Sequence, residues 1–220
     1  MISSALDLSR HRLSQDACNV LFVEARTHKV WLDRPVEDRL LHELYDLMKW
    51  GPTSANCCPA RILFLRSRQA KERLRPTLES DNVDKTMKAP VTAIIAYDSA
   101  FYRQLPRLFP PMPAMQERFA QSSELAAATA LRNSSLQGAY FMLAARSLGL
   151  DCGPMSGFDN EKVDQEFFPV MAPPTGATAG GFIAAGNVKS NFLCNLGFGD
   201  AAKLHPRGPR FGFGEVCQLL

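Results

Sequence analysis

Leu47-Met48-Lys49-Trp50-Gly51-Pro52-Thr53-Ser54-Ala55-Asn56-Cys57-Cys58-Pro59-Ala60 joins the end of one periodic run to the start of another. Upstream, Leu40, Leu41, Leu44, Leu47 and Met48 recur at helical spacing and predict a helix over 36–50. Gly51-Pro52 stops it, because proline disfavours the α conformation of the residue before it. Downstream, Ile62, Leu63, Phe64 and Leu65 predict a strand over 60–66. Between them stand Thr53, Ser54 and Asn56, whose short polar side chains bond either their own backbone or a ligand. In isolation such a segment is a capped turn. Accompanied by further polar clusters, it becomes a candidate ligand-gripping loop.

The same reading extends along the chain. Residues 17–25 carry a helical pattern, and Val91-Thr92-Ala93-Ile94-Ile95-Ala96-Tyr97 is apolar enough to lie inside a sheet. The basic stretch 68–78 predicts a helix. Residues 102–122, broken by Pro106, Pro110, Pro111 and Pro113, read as a loop with apolar teeth. The longest helical pattern runs over 124–148, with small residues Ala126, Ala130, Ser134, Gly138 and Ala145 that permit close packing. Gly153-Pro154-Met155-Ser156-Gly157-Phe158 reads as a glycine-rich turn, followed by Asp159 as the cap of a short helix over 161–168. Residues 169–186 read as a flexible insertion and 192–198 as the last strand. Strands and helices that do not alternate regularly favour an α+β fold, with 1–16 as a leader or frayed first helix and 17–220 as one domain.

Composition excludes several classes. The 220 residues are 46% apolar and 21% charged, as in ordinary globular chains. The net charge of +3 is spread out, and the cluster Arg61, Arg66, Arg68, Lys71, Arg73 and Arg75 alternates with apolar residues as a solvated face does, without a nucleic-acid-binding motif. No signal peptide and no membrane-spanning run is visible, so a cytoplasmic protein is expected. The six cysteines form no CxxC pair, so neither a zinc site nor a dithiol redox motif is expected.

Four polar clusters carry chemistry. Arg26-Thr27-His28-Lys29 combines cations with a hydroxyl, as a phosphate requires. Ser54 and Asn56 form the second. Asn82 with Lys85 places an amide, able to match a heterocycle edge, beside a cation one helical turn away. Arg207 and Arg210 in the tail are again suited to phosphate. Separately, each has an ordinary explanation in helix ends or solvated surface.

In this order, with Pro52-Thr53-Ser54-Ala55-Asn56, Gly149-Leu150, Gly153-Pro154-Met155-Ser156-Gly157-Phe158-Asp159 and Gly197-x-Gly199, the clusters resemble the nitroreductase family of FMN-dependent oxidoreductases. The resemblance runs from about Cys18 to the C-terminus. Within the family, Ala25-Arg26-Thr27-His28, the string 47–57 and Arg132-Asn133-Ser134-Ser135 are most similar to bacterial malonic semialdehyde reductases of pyrimidine degradation. Thr27 stands where serine is usual and keeps the hydroxyl. Cys58 replaces a common glutamine.

The resemblance implies a nitroreductase-like α+β fold: a central, mostly antiparallel sheet flanked by helices in an intertwined homodimer with FMN at the subunit interface. It implies that Arg26, Thr27, His28 and Lys29 hold the phosphate and ribityl end with Arg207 and Arg210. Ser54 and Asn56 would come from the partner, Pro52 and Thr53 would also bind the cofactor, and Asn82, with Lys85, would meet the pyrimidine edge. Pro154, Met155, Ser156 and Gly157 would lie against the ring system. The implied activity is hydride transfer from NADH or NADPH through flavin N5 to a small acceptor, malonic semialdehyde giving 3-hydroxypropionate, with no catalytic side chain and no metal. Arg107, Arg118 and Arg132 are candidates for an acceptor carboxylate. Two alternatives stay open: a broad nitroaromatic or quinone reductase, and a non-catalytic flavin-binding protein. A thiol enzyme built on Cys57 or Cys58 lacks an identifiable base.

Overall fold

The computed structural model describes residues 12–169 and 187–220. The expected leader therefore lies largely outside the described residues, as does the expected insertion from 170 to 186.

The loop that opens the sequence reading sits between the predicted elements. Helix α2 (Asp38–Met48) buries Leu41, Leu44 and Met48, and strand β1 (Ala60–Leu65) follows the loop. Strand β2 (Val91–Asp98) is almost wholly buried, as its unbroken apolar run requires. Strand β4 (Val188–Gly197) covers its other edge and is longer than the sequence suggests. Among the described residues the sheet has the order β1-β2-β4-β3, with every pairing antiparallel.

The outermost strand, β3 (Asp151–Met155), corrects the reading of 153–158 as a turn. Gly153 and Pro154 are poor strand formers, yet Pro154 pairs with Cys194 at the margin of the sheet, where a missing donor is tolerated. Only Ser156 and Gly157 remain as the turn. Residues 102–122 are likewise more regular than expected, containing α5 (Leu105–Leu108) and α6 (Ala114–Ala120). Pro106 and Pro113 stand at their starts, where no backbone donor is required, and Pro110 and Pro111 form the turn between them.

Helix α7 (Ser123–Ser147) packs across the sheet, capped by Ser122, whose hydroxyl accepts from Leu125 N–H. Phe192 occupies the space that a side chain at Gly138 would need. Helix α3 (Arg68–Leu74) and α4 (Ser80–Lys88) flank the other end, and α8 (Asn160–Phe167) begins at Asp159 as anticipated. A polar chain fixes α4 to the sheet: Thr92 donates to Asn195 at 2.7 Å, Asn195 to Thr86 at 3.4 Å, and Thr86 to the Met155 sulfur at 3.5 Å.

Lys71 departs from the expected solvated basic face. It is 4% exposed and caps the end of α4 by donating to the Thr86 carbonyl at 3.1 Å and to that of Ala89. Burial pulls its ammonium down to about 8.

Candidate functional site

The predicted polar residues fall into two groups at opposite margins of the sheet. Beside β3, the segment 26–31 runs as an added ply: Thr27 bridges to Cys152, and the His28 N–H donates to the Cys152 carbonyl at 3.0 Å. Trp31 anchors the ply. Its indole N–H donates to the Lys85 carbonyl at 3.2 Å, and Gly153 and Gly197 leave room for its ring. Lys29 and Lys85 are thereby brought together. Burial lowers the Lys85 pKa and the charge of Lys29 lowers it further, with Asp81 offsetting part of the effect. Neither lysine has a carboxylate in salt-bridge contact among the described residues.

The turn after β3 joins this group through α4. Asn82 donates to the Gly157 carbonyl at 2.6 Å, and Gly157 is tight enough that a Cβ there would meet the Asn82 amide. Pro154 is half-buried and Ser156 exposed, while Met155 turns its sulfur toward Thr86. The tail reaches the same place: Arg207 donates to the Ala25 carbonyl at 3.3 Å, and Arg26 to that of His205. Among the described residues Arg210 bonds only carbonyls of its own tail, at Gly208 and Pro209. His28, unlike its exposed neighbours Thr27 and Lys29, is buried.

The second group lies beside β1. Ala55, Asn56 and Cys58 have φ of 51°, 47° and 38°, left-handed values that cost about 1 kcal/mol or more each without glycine. Helix α7 holds this loop through one stripe of side chains. Asn133 accepts from the Ser54 N–H at 2.8 Å, Gln137 accepts from the Ala60 N–H at 2.9 Å, and the Tyr140 hydroxyl donates to the Pro52 carbonyl at 3.0 Å. Tyr140 also fills the space beside Gly51. Asn56 donates to the Leu108 carbonyl at 2.8 Å, and Thr53 accepts from the Cys58 N–H.

A cavity of about 920 Å3 opens along this loop, lined among others by Trp50, Pro52, Asn56, Cys58, Arg61 and Arg107. Arg61 pairs with buried Asp98 at 2.8 Å. Arg107 is exposed and has no ion pair among the described residues. Arg118 and Arg132 are exposed elsewhere and do not line the cavity.

Three strand spacings, roughly 14 Å, separate the margins. The α7 stripe was missed in the sequence. Its signal is Asn133, Gln137 and Tyr140 at i, i+4 and i+7 in a helix otherwise built of small and apolar residues.

The model of the nitroreductase family matches residues 23–169, spanning the 26–29 ply, the 51–60 loop, α4 and β3. The chain belongs to the nitroreductase family. Solved structures agree in fold. An Exiguobacterium sibiricum protein, provisionally named a nitroreductase and solved in complex with FMN, superposes with a TM-score of 0.78 at 15% identity, covering 95% of this chain and 99% of the other. A Staphylococcus epidermidis protein, provisionally named an NAD(P)H:FMN oxidoreductase, gives 0.73 at 20% identity over 96% and 99%. A nitroreductase family protein of Streptococcus pneumoniae gives 0.71 at 19% identity over 90% and 96%. The described residues of this chain contain no helix long and apolar enough to cross a membrane and no cluster of metal-ligating side chains.

Proposed function

We propose that this family member is an FMN-dependent NAD(P)H oxidoreductase acting as a homodimer, and that its acceptor is malonic semialdehyde, reduced to 3-hydroxypropionate. One observation carries the cofactor reading: Arg26, Lys29, Lys85 and Arg207, distant in sequence, gather at one margin of the sheet, with the two lysines repelling each other and lacking a salt-bridged carboxylate. An anion relieves that repulsion. A bound phosphate would be held by Arg26, Thr27, Lys29 and Arg207, with Asn82 and Lys85 serving the heterocycle edge and the 154–157 segment supporting its face.

FMN, when bound, supplies two-electron transfer between NAD(P)H and the second substrate. The chain's residues bind and orient it, and Lys85 concentrates positive charge where electron density arrives. The division of the polar groups between opposite margins supports the homodimer, in which Pro52, Thr53, Ser54 and Asn56 would complete the site of the partner subunit. The dimer also gives the tail a destination, since Phe211, Phe213, Val216 and Leu219 stand in water in a single chain. For the acceptor carboxylate, Arg107 is the best of the three candidate arginines, being exposed in the cavity that contains Asn56.

Breadth of that cavity favours a second reading, a reductase of flat nitroaromatic or quinone acceptors stacked against apolar walls. Anaerobic spectra decide between them. Flavin bands that bleach with NAD(P)H and return with malonic semialdehyde support the aldehyde reading, and return only with nitroaromatics or quinones favours the broad one. A chain that takes up no FMN overturns both.

A further inference from the structure

The ply 25–32 is paired with the start of the tail, so the cations of the proposed phosphate grip ride on a two-ply ribbon. Leu32 N–H donates to the Phe198 carbonyl at 2.8 Å and Asp200 N–H to that of Val30 at 3.0 Å, with the Arg26 and Arg207 bonds at the far end. Alternation along the extended ply exposes Thr27 and Lys29 and turns His28 inward, where it is 6% exposed. Its Nε2 lies 3.4 Å from one oxygen of Asp151, at the start of β3, while the other oxygen of Asp151 accepts from the Gly199 N–H at 2.8 Å. Three segments thus meet at one imidazole.

The fit is close and chemically costly. A Cβ at Gly199 would stand 1.9 Å from His28 Nδ1, so the ring is accommodated because residue 199 has no side chain. That Nδ1 is buried without a protein partner among the described residues, a deficit that typically costs about 1–3 kcal/mol. A leucine would fill the space without that cost. What leucine lacks is the polar link to Asp151, and through it to the tail.

We propose that His28 is a positioning residue for the cofactor phosphate: without touching it, the His28–Asp151–Gly199 clasp sets the register of the ribbon so that Arg26, Lys29 and Arg207 converge on one anion. The proposal rests on the FMN reading above and replaces the direct contact implied by the family motif.

FMN and riboflavin differ by the phosphate, so their dissociation constants, measured by fluorescence with the full-length chain, separate positioning from general packing. In His28→Leu, FMN affinity falls by about 10- to 100-fold, the scale on which groups that orient primary ligands act. Riboflavin affinity stays within threefold of wild type. Gly199→Ala, which displaces the ring while keeping the histidine, reproduces the FMN-selective loss, and His28→Gln, which keeps a nitrogen donor toward Asp151, restores most of it. Melting curves of the apo chains check folding. If His28→Leu fails to fold, Asp151→Asn provides the same comparison. Equal loss of both flavins, or unchanged FMN affinity in folded variants, overturns the proposal. A wild-type chain that binds neither flavin overturns the FMN reading itself, and the positioning role with it.

Discussion

Asn133, at the middle of α7, accepts a hydrogen bond from the Ser54 backbone at 2.8 Å and donates to the Thr129 carbonyl, at only 1% exposure. It holds a loop with three left-handed, non-glycine residues in place. Asn133→Leu strands the Ser54 N–H and costs about 2 kcal/mol, which lowers the melting temperature by roughly 4–8 °C in a chain of this size. Tyr140→Phe removes only the bond to Pro52 and costs less than about 1 kcal/mol. Both residues grip one loop, so the double variant departs from additivity by more than about 0.5 kcal/mol. Urea titrations of the four chains test this, and strict additivity would refute a shared template.

Lys71 predicts an unusual pH dependence. Among the described residues its ammonium has only carbonyl partners, and burial lowers its folded-state pKa to about 8 from 10.5. Below pH 8 both folded and unfolded chains hold the proton, and the folded state carries the full cost of burying it. Between pH 8 and 10.5 the unfolded chain binds more protons, so this group's contribution makes stability rise with pH, by at most about 1.4 kcal/mol per pH unit. The difference in urea midpoint between wild type and Lys71→Met therefore shifts in favour of wild type from pH 7 to pH 10. A flat difference would show that Lys71 titrates normally.

Burial also decides which thiols react. Cys57 is buried and its pKa is pushed up to about 11, mainly by desolvation. Cys152 and Cys194 are fully buried, and Cys194 is raised well above the usual thiol range, first by its hydrogen bond with Cys152 and then by burial. Cys217 is exposed. Brief treatment with iodoacetamide at pH 8 labels Cys217 and leaves Cys57, Cys152 and Cys194 unmodified by mass spectrometry, and reductase activity survives Cys57→Ser. Loss of activity in a folded Cys57→Ser chain would revive a thiol mechanism.

What was legible in the sequence followed from strong periodicity. Leu41, Leu44 and Met48 mark α2 because one helical face meets the core, and 91–97 reads as a strand because both its faces are covered. Strand β3 escapes that logic, since a side chain at Gly153 would run into the His28 carbonyl and Pro154 is tolerated at the margin. Helix α4 escapes it too, because its inward face presents Asn82 and Thr86 in place of an apolar stripe. The site residues were nameable through family resemblance, but their separation on opposite margins was not, because strand order is a long-range property. Nor does a sequence show that His28 points away from its neighbours or that α7 braces the 51–60 loop.

The ribbon that pairs Arg26 with the tail predicts a joint effect. Arg26→Ala with Arg207→Ala removes two cations from the grip and both side-chain ties between the plies. FMN affinity falls by about 100-fold or more, equivalent to roughly 3 kcal/mol for two charge-assisted contacts. Arg210→Ala, by contrast, removes only bonds within the tail and weakens FMN by less than about threefold. Equilibrium dialysis of the three chains distinguishes them, and an unchanged double variant would remove the phosphate grip from the proposed function.

Arg107 tests the acceptor. In the cavity lined by Asn56 and Trp50, its guanidinium is exposed and has no ion pair among the described residues, leaving it able to meet a carboxylate with two parallel N–H donors. Arg107→Gln keeps a polar side chain, shorter than arginine, and removes the charge. It raises KM for malonic semialdehyde by about 10-fold or more, while kcat with a neutral nitroaromatic acceptor changes less than about twofold. The split between acceptors is the decisive quantity, because a variant that merely disturbs α5 would slow both. If KM for the semialdehyde is unmoved while the nitroaromatic is reduced normally, Arg107 does not bind the carboxylate, and the broad-acceptor reading gains at the expense of the aldehyde one.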